Sequence, residues 1–99
     1  MLNIQKTVEN NAACFVLEGR LDTVTAPELE AELKASLDQI TSLVLDFEKL
    51  DYISSAGLRV LLSAQKQMNK QGEMKVCRVN ETIMEIFEVT GFTDILTIE

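Results

Sequence analysis

Residues 43–62 change their hydrophobic period partway along, and that change limits what the chain can become. Leu43, Val44 and Leu45 form an apolar run that stops at Asp46. A polar bridge follows, then Tyr52 and Ile53 lead into Ser54 and Ser55. Beyond them Leu58, Leu61 and Leu62 recur at helical spacing, with Met68 on the same face. The pattern predicts a buried strand, a short loop and a helix capped by Ser55, leaving Ser54 outside the cap. Gly57, in the first helical turn, costs helix propensity but permits close approach to the backbone. A serine hydroxyl is thus expected at the positive end of a helix, at the carboxyl edge of a sheet. That edge is where open α/β proteins carry their sites.

The remaining segments build a sheet around this unit. Residues 2–8 and 13–18 read as two strands, joined by Glu9-Asn10-Asn11 as a hairpin turn. Gly19 to Thr25 reads as a loop, and Thr25, Ala26, Pro27 and Glu28 match a capping box opening a helix. That helix carries Leu29, Leu33, Leu37 and Ile40 on one face, with Glu28, Glu30 and Glu32 as a solvated acidic run. Ser42–Phe47 is apolar on both alternations up to Asp46, which predicts a central strand covered on both faces. The Ser55 helix should run to about Asn69 and stop at Gln71-Gly72-Glu73. A strand over Met74–Val79 follows, then a helix capped by Asn80 with Ile83, Met84, Ile86 and Phe87 inward. Gly91 suits a left-handed helix end with Phe92 folding back on Phe87, and Ile95–Ile98 is a last short strand. The order β-β-α-β-α-β-α-β predicts a single α/β domain over residues 1–99, with a mixed sheet of about five strands and crossover helices.

Composition removes several functions. A net charge of −7 argues against direct nucleic-acid binding. No apolar run nears the ~20 residues of a membrane span, and the first residues lack a signal-peptide pattern, so a cytoplasmic protein is expected. Cys14 and Cys77 then read as reduced packing residues. The chain has no histidine, which removes Ser-His-Asp and Cys-His catalysis and histidine metal sites. No Asp/Glu cluster has calcium-loop spacing, no Gly-x-Ser-x-Gly elbow surrounds the serines, and no phosphate loop is present. No catalytic residue, metal or cofactor is expected. What remains for an exposed hydroxyl is phosphorylation by another protein.

Asp51-Tyr52-Ile53-Ser54-Ser55-Ala56-Gly57-Leu58 resembles the signature of STAS domains, specifically the small anti-sigma factor antagonists. Gly19-Arg20-Leu21-Asp22-Thr23, Leu43-Val44-Leu45-Asp46-Phe47 and Thr90-Gly91-Phe92 resemble further family segments in the same order. The resemblance implies a partner switch. The unmodified protein binds an anti-sigma factor that is also a serine kinase, phosphorylation on serine releases it, and a metal-dependent serine phosphatase resets the cycle. It implies Ser55 as phosphoacceptor, with Ser54 second because relatives often carry aspartate there. It also implies that Asp22 lies beside the acceptor. A contact surface of Asp22, Thr23, Ser54, Ser55, Ala56, Gly57 and Arg59 is expected, with Leu58 on the core face. Two alternatives remain: a STAS adaptor for a non-sigma target such as a phosphatase or cyclase, and an unphosphorylated structural subunit of a lipid-transport complex.

Overall fold

A computed structural model describes residues 1–99. Strands β1 (Leu2–Glu9) and β2 (Ala12–Leu21) form a hairpin, followed by α1 (Ala26–Ser36), β3 (Ser42–Ile53) and α2 (Ser55–Gln71). Then come β4 (Glu73–Cys77), α3 (Glu81–Thr90), a 3₁₀ turn over Phe92–Asp94 and β5 (Thr97–Ile98). The hairpin turns at Asn10, whose φ of 54° is a conformation asparagine tolerates. The five strands lie in sequence order, β1 antiparallel to β2 and the rest parallel, so the expected element order and mixed sheet are present.

That order explains where the core sits. Each β-α-β crossover steps one strand along in the same direction, and right-handed crossovers then place every helix on one face. Cross-strand rows Ala13–Leu43–Met74 and Phe15–Leu45–Val76 are buried under the helices. The intervening rows, Cys14–Val44–Lys75 and Val16–Asp46–Cys77, point to the opposite face and are mostly half-exposed. The expectation that β3 is covered on both faces is therefore corrected. Its apolar residues on the second alternation are only partly covered, because a singly wound sheet has no helix to place there. Both cysteines are free and half-buried on this open face. Burial, with Asp46 nearby, pushes the Cys77 thiol above its ordinary range.

Helix faces follow the apolar spacing. Leu29 and Leu33 of α1, Leu58, Leu61 and Met68 of α2, and Ile83 and Phe87 of α3 are buried. Asn80 caps α3 by accepting the Ile83 N–H at 2.8 Å, and Gly91 ends it at φ 80°. Phe92 stacks on Phe87 at 6.3 Å between centroids, and Phe87 also meets Phe47 at 6.3 Å. These local signals match the sequence reading, except that α1 ends at Ser36, so Leu37 and Ile40 are buried beyond the helix, and Met84 and Ile86 are only half-buried.

Strand limits differ from it. β2 continues through Gly19-Arg20-Leu21, and β3 through the polar stretch to Ile53, where a loop and a bridge were expected. The two stretches pair with each other: Glu18 with Lys49, Gly19 with Leu50, Arg20 with Tyr52 and Leu21 with Ile53. Two register irregularities let this ladder continue past its polar residues while Leu50 and Ile53 still reach the core. At the other end β4 stops at Cys77, and β5 is only Thr97–Ile98, because the 3₁₀ turn occupies the approach to it. Helix α2 extends to Gln71, whose side-chain amide donates to the Leu37 and Ile40 carbonyls at 2.6 Å each. A Cβ at Gly72 would overlap the Thr41 carbonyl, so the chain turns there with no room for a side chain.

Candidate functional site

The long β2–β3 ladder delivers two chain segments side by side at the carboxyl edge of the sheet. The Ser54 N–H donates to the Leu21 carbonyl at 2.9 Å, as the last link of that ladder. This holds Ser54 extended, at φ −100° and ψ 176°, and the helix starts one residue later. Ser54 is therefore the N-cap. Its Oγ accepts the Gly57 N–H at 3.4 Å, and its carbonyl accepts the Leu58 N–H at 2.9 Å. The expected cap at Ser55 is corrected to Ser54, and Ser54 is the serine that capping needs.

Gly57 explains the one-residue shift. A Cβ there would stand 2.8 Å from both Ile53 Cγ1 and Leu21 Cγ, so the first helical turn rests directly on the ends of β3 and β2. The close approach expected at this glycine is made by the protein's own core. Gly57 is buried, and so is Leu58, as the helical spacing requires. Ser55, at the first helical position, is exposed, while Ser54 is half-buried. The two serines thus divide the work: one side chain turns back to the helix and its neighbour faces solvent at the positive end of α2.

The adjacent loop is built by Asp22. Its Oδ1 accepts the Val24 N–H at 3.0 Å and the Thr25 N–H at 3.1 Å. The Thr25 hydroxyl accepts the Asp22 N–H at 2.9 Å and donates to the Arg20 carbonyl at 2.7 Å. Thr25 is buried in this role, and its side chain makes no cap on α1. The expected Thr25–Glu28 capping box is absent, because the threonine hydroxyl is committed to the loop. The Thr25 backbone N–H, ahead of the other bonds, holds the Asp22 carboxyl below its ordinary range. Asp22 Oδ2 also lies 3.8 Å from Arg20 Nε, and the Arg20 guanidinium sits 4.5 Å above the Tyr52 ring.

Between the loop and the start of α2 runs a shallow groove of about 210 Å³. Thr23, Ala26 and Pro27 line one side, Ala56, Arg59 and Val60 the other, and Glu30 also faces it. Of the residues expected to form a contact surface, Thr23, Ala56 and Arg59 meet here. Asp22 and Ser54 are joined to each other through Leu21. Gly57 lies beneath the surface and shapes the turn. Sequence reasoning missed Thr25 and the Arg20–Tyr52 pair. Thr25 was disguised by its helix-capping context, and Arg20 meets Tyr52 only through strand register.

The STAS domain model matches residues 3–99. The chain belongs to the STAS domain family. BtrV of Bordetella bronchiseptica, provisionally named an anti-sigma factor antagonist, is 44% identical over 84 residues, spanning 83% of this chain and 72% of its own. The anti-sigma-B factor antagonist of Staphylococcus aureus is 30% identical over 97 residues, spanning 96% and 90% of the two chains. Among solved structures, an anti-sigma factor antagonist from Mycobacterium paratuberculosis superposes with a TM-score of 0.89 at 21% identity, covering 99% of this chain and 85% of that one. The singly wound sheet described above is thus the STAS fold. No helix is long and apolar enough to cross a membrane.

Proposed function

We propose that this STAS protein is an anti-sigma factor antagonist working as a phosphorylation-controlled partner switch. Unmodified, it binds an anti-sigma factor that is also a serine kinase. Phosphorylation of Ser55 ends the complex, and a serine phosphatase restores it. The observation carrying this reading is the division between the serines: Ser54 caps the helix, which leaves the exposed Ser55 hydroxyl for modification. The relatives' names supply the partner class.

The chemistry fits a switch without refolding. The kinase transfers the terminal phosphoryl group of ATP to Ser55 Oγ. The bond to ADP breaks, the new P–O bond forms and the hydroxyl proton leaves to the kinase. The product carries about −1.5 to −2 charges at neutral pH. At the start of α2 that charge faces unpaired helix amides and is stabilised in the free protein. Against a partner, the same group adds bulk, must lose its hydration, and adds to the negative charge of Asp22 on the next loop. Binding changes while the scaffold stays, so the switch is local and rigid.

The test is incubation with ATP and the candidate kinase from the same genome, followed by intact mass and peptide mapping. One phosphate at Ser55, absent from Ser55→Ala, is expected, together with release of the kinase. A phosphate at Ser54 would keep the mechanism and move the site. No phosphate with any kinase that binds would refute the switch and favour an unphosphorylated structural subunit. Phosphorylation without any effect on a sigma factor would favour an adaptor for another target.

A further inference from the structure

Ser55 is the first residue of α2, and Arg59 follows one helical turn later. Positions four apart in a helix are neighbours on one face, with Cβ atoms about 5–6 Å apart. Helical side chains lean toward the N-terminus, which directs Arg59 back over the turn that carries Ser55. Both residues are exposed, so neither side chain is used by the core. Arg59 is also uncommitted. Lys6, Arg20, Lys75 and Arg78 each pair with a carboxylate, and Arg59 pairs with none. Glu30 faces it across the groove without coming within ion-pairing distance. Arg20, the other cation at this edge, is held over the Tyr52 ring and beside Asp22.

A neutral serine hydroxyl gains little from a guanidinium one turn away. A phosphate in its place brings up to two charges and three acceptor oxygens, a target that a guanidinium can grip with two parallel N–H bonds. The order along the helix is the favourable one, with the anion N-terminal to the cation. Glu30 is the competing anion, but it carries one charge and must be reached across the groove. The phosphate carries more charge and is tethered on the same helix face.

We infer that Arg59 is the internal counter-ion of phosphorylated Ser55, reaching back one turn to hold the phosphate on α2. The inference rests on the partner-switch reading and adds a device to its phosphorylated state. Modification then moves two side chains: Ser55 gains the charge, and Arg59 leaves the groove to meet it. Pairing favours the doubly charged phosphate. The phosphorylated state therefore keeps its full charge as the pH falls toward about 6, where a free phosphoserine takes back a proton.

The experiment is a phosphorus NMR pH titration of the full chain with phosphoserine installed at position 55 during synthesis. It compares wild type, Arg59→Gln and Lys66→Gln. Lys66 is exposed further along the same helix, about 16 Å from Ser55, or roughly two Debye lengths at physiological salt. Asp22, Glu30 and Asp51 all oppose the second ionisation, but they are present in every protein compared and cancel. A helix pair of this spacing moves the midpoint by about 0.3 pH unit, so Arg59→Gln should titrate that much higher than wild type. Lys66→Gln should titrate with wild type. Equal midpoints in wild type and Arg59→Gln overturn the inference and leave the switch standing. A Lys66→Gln displacement as large as that of Arg59→Gln also overturns it, since the effect is then one of net charge. The phosphoserine is installed without a kinase. Failure of the candidate kinase to phosphorylate Ser55 therefore refutes the switch, while this titration still reads the pairing.

Discussion

Replacing Gly57 with alanine tests whether the first turn of α2 rests on the sheet as described. The added Cβ would lie 2.8 Å from Ile53 Cγ1, 2.8 Å from Leu21 Cγ and 3.1 Å from Leu21 Cδ2. Two of these atoms are mid-chain or branch carbons, and both residues are fully buried, so neither can swing aside. Overpacking of this kind costs about 1–3 kcal/mol. Alanine recovers up to about 1 kcal/mol of helix propensity, less in a first turn than in a helix interior. The clash wins, leaving a net loss of about 1–2 kcal/mol, or roughly 5–15 °C in melting temperature for a domain of this size. Thermal unfolding by circular dichroism reads it directly. The same displacement would lengthen the already long Gly57–Ser54 bond and turn Ser55, so the rate of phosphate acceptance should fall in parallel. A Gly57→Ala protein as stable as wild type, or more stable, would refute the close packing, and with it the reason given for the cap at Ser54.

The other expectations are simpler. Ser54→Ala should lose about 0.5–1 kcal/mol in denaturant unfolding, the low end for an N-cap, since its bond is 3.4 Å long. Ser55→Ala should change stability by less than about 0.5 kcal/mol, because its side chain is exposed. The reverse order of these two losses would restore Ser55 as the cap. Asp22 has its carboxyl held below the ordinary value of 3.8, so its stabilising effect is present above that pH and lost as pH falls below it. Melting temperatures of wild type and Asp22→Ala should therefore differ at neutral pH and converge in acid. A gap that stays constant as the pH falls well below the ordinary carboxyl value would show that the charged form is not what the loop holds.

How much of this was legible in the sequence depended on range. The helix faces, the Asn80 cap, the Gly91 ending and the Phe92–Phe87 contact all involve residues within about two turns of each other. Each carries its cause in its own segment: a side chain that reaches back three residues, a glycine at positive φ, an apolar spacing of three and four. The serine-glycine segment and the Asp22 segment were likewise visible as residues, and their order along the chain led to the family. The absence of histidine narrowed the chemistry by composition alone.

What the tertiary structure decided were the properties that one segment imposes on another. Glu48, Lys49 and Asp51 read as a bridge, yet they lie in a strand because Glu18 to Leu21 pair alongside them. Val44 read as covered, yet it is only half-buried on an open face, since three crossovers of one hand travel in one direction across the sheet. Thr25 has the sequence context of a cap, but Arg20 and Asp22 claim its hydroxyl. Either serine could cap a helix by composition. The choice fell to Ser54 because Leu21 binds its amide and Gly57 fits against Leu21 and Ile53. The sequence supplied a hydroxyl that could be modified; strand pairing with a segment more than thirty residues away determined which of two neighbours stands free.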